Sequence, residues 1–145
     1  MKKFLQKKLK DQKGMTLIEL LAVIVIIAII AAIAIPAISN IIENSRVGAM
    51  KSDALNSLSA ASIYYADDAT VDDNVTVEQL VTDGYLDDQG TLLDDASISK
   101  DGLLSGDAEV NDELSITFAN ASRNMINDVP NNSESGATGV TISRP

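Results

Sequence analysis

The chain has 145 residues, room for one domain of ordinary size, with 11 Lys and Arg against 21 Asp and Glu and a formal charge of −10. It contains no His, Cys or Trp, which excludes a disulfide framework, a Cys/His zinc site, a Cys nucleophile and any His-dependent catalytic triad. Aromatics are 3% of residues and the net charge repels a phosphate backbone, so base stacking and direct nucleic-acid binding are both disfavoured.

The charge is unevenly placed. Residues 1–14 hold six lysines (Lys2, Lys3, Lys7, Lys8, Lys10 and Lys13) and one acid, Asp11. The rest of the chain holds five basic residues and 20 acids. Such a split suggests a processed or membrane-orienting leader attached to a different kind of body. From Leu20 to Ile38 there is no polar side chain. As a helix this run spans about 28 Å, close to one hydrocarbon thickness. The lysines before it keep the N-terminus cytoplasmic and send the acidic body outward by the positive-inside rule.

A secretory signal peptide, with Ala32-Ile33-Ala34 as its cleavage site, and a plain single-pass anchor both fit the apolar run. Neither requires the string Gly14-Met15-Thr16-Leu17-Ile18-Glu19 that precedes it. Glu19 sits hard against the apolar run, where a carboxylate costs up to about 2.5–3.5 kcal/mol at mid-bilayer and less near the interface. A carboxylate in that position needs a cationic partner, and an amine created by cleavage before Met15 would supply one. Gly14 through Leu21, the short Lys-rich leader and Pro36 within the apolar helix together resemble the N-terminus of a type IV pilin or of a type II-secretion-like pseudopilin.

The resemblance covers residues 1 to about 40, and beyond them it is architectural. It implies that a prepilin peptidase cuts between Gly14 and Met15, and that the new amine on Met15 is methylated. Most members have Phe at that first mature position, so Met15 is a departure from the pattern. It also implies that Glu19 pairs with the N-terminal amine of an adjoining subunit during assembly, with Thr16 beside it. A paired carboxylate in a low-dielectric core specifies register, so Glu19 reads as an assembly key and not as a catalyst.

The helix is expected to continue past the membrane. Val47, Met50, Ala54, Leu58, Ala61 and Tyr65 recur at helical period and form one apolar stripe for packing on a sheet. A helix from about Met15 to about Tyr65 is about 75 Å long. Pro36 removes one backbone hydrogen bond, so a kink is expected there, and the resemblance adds local melting near Pro36 in assembled filaments. Gly48 is a second soft point.

Residues 67–113 hold 15 acids and one base, Lys100, and read mostly as loops and short elements. Thr76-Val77-Glu78-Gln79 fits a capping box and Gly84 a helix C′ position, predicting a short helix over about 77–83. Ser99-Lys100-Asp101-Gly102 reads as a turn. Residues 113–119 alternate as a strand, as do residues 138–143, and a weaker strand is placed at 124–127. The expected fold is α+β, type IV pilin-like: a long N-terminal helix packed on a small antiparallel sheet of three or four strands. The expected divisions are a leader (1–14), a transmembrane and filament-core helix (15–38), its amphipathic continuation (39–66) and an acidic head (67–145).

The pairs Asp67-Asp68, Asp72-Asp73, Asp87-Asp88 and Asp94-Asp95 suit a hard cation, but none follows EF-hand spacing. A solvated acidic surface is the favoured reading, with calcium in the acidic loops a minor one and no metal or cofactor assigned. No nucleophile, oxyanion hole or cofactor motif accompanies the carboxylates, so the chain reads as a non-enzyme. Asn74, Asn120 and Asn131 head Asn-x-Ser/Thr triplets, a pattern common by chance in such a composition. The C-terminal residues 141–145 do not resemble a sortase signal, which disfavours a wall-linked pilus.

The resulting expectation is the major subunit of a type IV pilus, most like a Gram-positive one. It is single-pass in the membrane before assembly and then part of a homopolymeric surface filament. Its implied partners are prepilin peptidase, an assembly ATPase and a membrane platform protein, with no nucleic acid bound along the shaft. A competence or type II-secretion-like pseudopilin is the first alternative. A secreted or anchored acidic surface-binding protein is the second.

Overall fold

The computed structural model describes residues 2–68, 70–111, 114–132 and 139–144, with side chains described from Thr16 onward and not at Asn111. Residues 1–40 and 41–145 form two units. The first consists of the N-terminal part of helix α1 (Lys2–Asp67). Pro36 lies inside this helix.

The second unit is an α+β body. Residues 41–67 of α1 pack on an antiparallel sheet formed by β1 (Val75–Thr76), β2 (Ser97–Ile98), β3 (Leu104–Asn111), β4 (Leu114–Ala121) and β5 (Val140–Ser143). The strands lie side by side in chain order. The helical stripe is the helix's contribution to the core: Val47, Met50 and Ala54 are fully buried, and Leu58, Ala61 and Tyr65 nearly so. Ser57 joins them, its hydroxyl donating to the Ala54 carbonyl at 2.8 Å. From the sheet, the inward residues alternate at period two. Ala108 stands opposite Ile116, Ile116 opposite Ile142, and Phe118 opposite Val140, all buried. Ser115, Thr117, Thr141 and Ser143 occupy the other face, as strand alternation requires.

The capping-box segment folds as α2 (Val77–Thr82), with the Thr76 hydroxyl accepting from the Gln79 N–H. Gly84 follows in the left-handed region at φ 79°, where the chain leaves the helix. The 99–102 turn closes with the Gly102 N–H donating to the Ser99 carbonyl at 2.9 Å. The strand over 113–119 is β4, and the one over 138–143 is β5; Glu113 and Thr138 lie outside the described residues.

The expectations fail in two places. Residues 124–127 are not a strand but part of helix α3 (Arg123–Asp128). The Ser122 hydroxyl accepts from the Met125 N–H, and of the helix only Ile126 is buried, so the segment offers one inward residue per turn and no second strand face. The sheet also has five strands among the described residues, more than the three or four expected, because β1, β2 and β3 all lie in the acidic stretch read as loops. In β3 the inward positions Gly106 and Ala108 are small, and the outward ones, Asp107 and Glu109, are charged. Gly106 has to be small: a Cβ there would lie 2.5 Å from the Ala96 Cα, at a φ of 137°.

Tyr65 ties the end of the helix to the sheet. Its hydroxyl lies 2.9 Å and 2.8 Å from the carbonyls of Asp73 and Ile98, and it accepts from the Val75 N–H at 3.0 Å. Replacing Tyr65 with Phe leaves a buried N–H without its acceptor, which should cost about 1–3 kcal/mol. Urea unfolding of the variant is expected to show a lowered midpoint with the slope unchanged.

Candidate functional site

The candidate site is the stretch of α1 around Gly14–Glu19. Gly14 and Met15 have helical backbone, so the Gly14–Met15 bond lies within a helix; their side chains lie outside the described residues. Glycine lowers the cost of unwinding one turn there. Thr16 and Glu19 are both exposed and stand three residues apart, on neighbouring positions of one helical face.

Around Glu19 the surface is apolar on all sides of the helix. From Thr16 to Asn40 every residue is exposed except the half-buried Ala31 and Ala34. Leu17 is 67% and Ile33 71% exposed. Glu19 is the one charged side chain between Thr16 and Ile42. Pro36 is exposed within the same stretch. By length and composition α1 is apolar enough to cross a membrane, and none of its most apolar window is buried within the chain. An apolar surface of this extent is not stable against water, so lipid or other protein must cover it.

The second unit carries most of the acids, and several of those described have local partners. Asp53 accepts from the Thr91 N–H at 2.9 Å and from its hydroxyl at 2.8 Å. Asp88 accepts from the Gly90 N–H at 3.1 Å. Both line an open depression of about 430 Å³ with Asp87. Asp72 pairs with Lys100 at 2.7 Å, and this hydrogen bond lowers its carboxyl below the ordinary range. Asp68 is lowered as well, by accepting from the Thr70 hydroxyl and N–H. Among the described residues no three His, Cys, Asp or Glu side chains converge as metal ligands. Of the three Asn-x-Ser/Thr asparagines, Asn74 and Asn120 are exposed, while Asn131 is half-buried and accepts from Lys51 at 3.3 Å.

Two groupings escaped sequence reasoning. Tyr64 packs edge-on against both Tyr65 and Tyr85, with ring centroids 5.4 Å apart in each pair, and the Tyr85 hydroxyl donates to Asp67 at 2.8 Å. Three tyrosines in a chain so poor in aromatics were the available signal. The second is a polar cluster at Glu43, Asn44, Lys51, Asn131 and Arg144. Burial holds the Lys51 amine below the ordinary lysine range, partly opposed by Asp128. Its signal was weaker still: two bases, far apart in an acidic chain.

Residues 9–35 match the prokaryotic N-terminal methylation motif. No curated protein and no solved structure matches the chain. The motif supports a type IV pilin-like precursor, of the pilin or the pseudopilin kind, that is processed by prepilin peptidase. Subunits of this type are structural and not enzymes. The exposed apolar helix and the motif together fit a membrane-anchored precursor of a surface filament.

The tyrosine cluster yields a pH test. Burial raises the Tyr65 hydroxyl above the ordinary tyrosine range, and the hydrogen bond to Asp67 raises that of Tyr85. A raised pKa favours the protonated form in the folded state. The stability it contributes is therefore complete below about pH 10 and is lost as pH rises through the folded values. In a tyrosinate absorbance titration, Asp67→Asn is expected to return Tyr85 toward the ordinary range and leave Tyr65 raised.

Proposed function

We propose that the chain is the major subunit of a type IV pilus. Cleavage between Gly14 and Met15 removes the lysine-rich leader, and the Met15 amine is methylated. The trimmed subunit waits in the membrane with the helix from Met15 to Ile38 in lipid and its acidic body outside. The observation that carries this reading is the placement of Glu19: one carboxylate, five positions into the mature chain, as the one charge on a mostly apolar and exposed helical surface.

Such a carboxylate is costly unpaired and specific when paired. In a bundle of like helices, the Met15 amine of one subunit neutralises Glu19 of the next, with Thr16 on the same face. Lipid is as apolar as the bundle, so the hydrophobic effect does not drive the transfer; packing and the charge pair do, with an assembly ATPase and a platform protein supplying the work. The contact is head-to-tail and does not close, so repetition gives an open helical filament. Pro36 loosens the helix inside that bundle, where neighbouring helices re-satisfy its freed carbonyl. The acidic body coats the filament and keeps it soluble.

A pseudopilin of a competence or secretion machine shares the N-terminal residues and is the second reading. The folded body of residues 41–145 favours the pilin, because it is a sizeable surface to present along a shaft. Intact-mass analysis of sheared surface material is expected to show a chain starting at N-methyl-Met15. Glu19→Ala is expected to be processed normally, to stay in the membrane fraction, and to lower the yield of sheared filament at least about tenfold, the scale of losing one buried ion-pair partner. A normal filament yield from this variant would remove Glu19 from assembly.

A further inference from the structure

The helix of the second unit is tied to the body before its first buried side chain. Ile41 and Ile42 are exposed, and burial begins at Val47. Between them, Arg144 holds two consecutive residues. Its Nη1 donates to Glu43 Oε2 at 3.0 Å, and its Nη2 donates to Asn44 Oδ1 at 3.2 Å. The Nη2 group also donates to the Asn131 carbonyl.

A second cation works two turns further on. Lys51 Nζ donates to the Val129 carbonyl at 2.5 Å and to Asn131 Oδ1 at 3.3 Å. Gly48 faces Asn131, and a Cβ there would lie 3.0 Å from its amide nitrogen. The residue after β5 and the stretch from Val129 to Asn131 are thus fastened to the helix at 43–44 and again at 51. The Glu43–Arg144 pair is no loose surface contact, since the two side chains keep 27% and 16% of their exposure.

N-terminal to this cluster the helix has little to hold it. Pro36 provides no N–H for the carbonyl one turn back, and residues 35–42 are all exposed. Helix loss spreads cooperatively from a weak turn until a tertiary contact opposes it. The first such contact in the second unit is made by Arg144.

We propose that Arg144, backed by Lys51, forms a polar latch that sets where unwinding of α1 from the Pro36 region stops. Helix is lost as far as Ile42 and not beyond Glu43. The body then keeps its fold whatever the apolar segment does. This holds for the single chain in a micelle as well as for any assembly, so it stands apart from the filament reading.

Hydrogen exchange with mass analysis on the full chain in detergent micelles tests it. The amides of residues 47–50 bond to the carbonyls of residues 43–46 and report the boundary. In the unaltered protein, protection is expected to rise steeply between residues 42 and 47. Arg144→Gln and Glu43→Gln are each expected to speed exchange at 47–50 by about tenfold while residues 54–65 keep their protection. The charge-swapped pair Glu43→Arg with Arg144→Glu is expected to restore the boundary only in part, because a carboxylate at 144 donates nothing to the Asn131 carbonyl. Protection running unbroken from residue 32 to residue 47 would overturn the proposal. So would an unmoved boundary in both single variants, or exchange accelerated equally across 47–65.

Discussion

The whole design depends on one constraint: an apolar helical surface that the rest of the chain does not cover. Between Thr16 and Asn40 the side chains find almost no partners within their own chain. Water is the wrong solvent for that surface, and lipid or a bundle of like helices is the right one. The lysines before it give it a direction in the membrane, and the body after it must be polar enough to live outside. The acidic composition of residues 41–145 follows from that requirement. So does the cost of Glu19, a lone carboxylate on a surface suited to lipid.

The body solves a different problem, that of building a core from small pieces. Its helix contributes a stripe with Ala54 and Ala61 at the centre, which lets the sheet approach closely. The sheet answers with Ala108 and Gly106 in β3 and larger residues, Ile116 and Phe118, in β4. Tyr65 is the hinge of this arrangement in the energetic sense. One hydroxyl serves the backbone of Asp73, Val75 and Ile98, and so joins the end of the helix to the paired strands β1 and β2. With no cysteine in the chain, polar ties of this kind take the part that covalent staples play elsewhere.

Much of this was legible in the residues. The stripe from Val47 to Tyr65 reads directly, because helical period and burial coincide there. The cap at Thr76 and the alternation of β4 and β5 are equally local signals. β3 was hidden because its middle residues, Gly106 to Glu109, alternate between small and acidic, and Val110 is its one β-branched residue. The α3 segment was misread for the opposite reason: its short Met-Ile pair suggests a strand until Ser122 is seen to cap it. For the candidate site, the string from Gly14 to Glu19 was visible because its meaning is local. The Arg144 cluster was not, since it joins residues about a hundred positions apart and has no spacing to recognise.

The serial order of the sheet bears on how the body is made. Each strand pairs with the one before it, so β1 to β4 need only short-range closures and nothing waits for a distant segment. The last closure is different: β5 must add to β4 while Arg144 returns to Glu43, at the far end of the body's sequence. As the polypeptide is made, a partial sheet is therefore ready early, with an open edge at β4. That edge stays unprotected until the final strand has been delivered, which makes the time of emergence of residues 140–144 the interval of greatest exposure to mispairing.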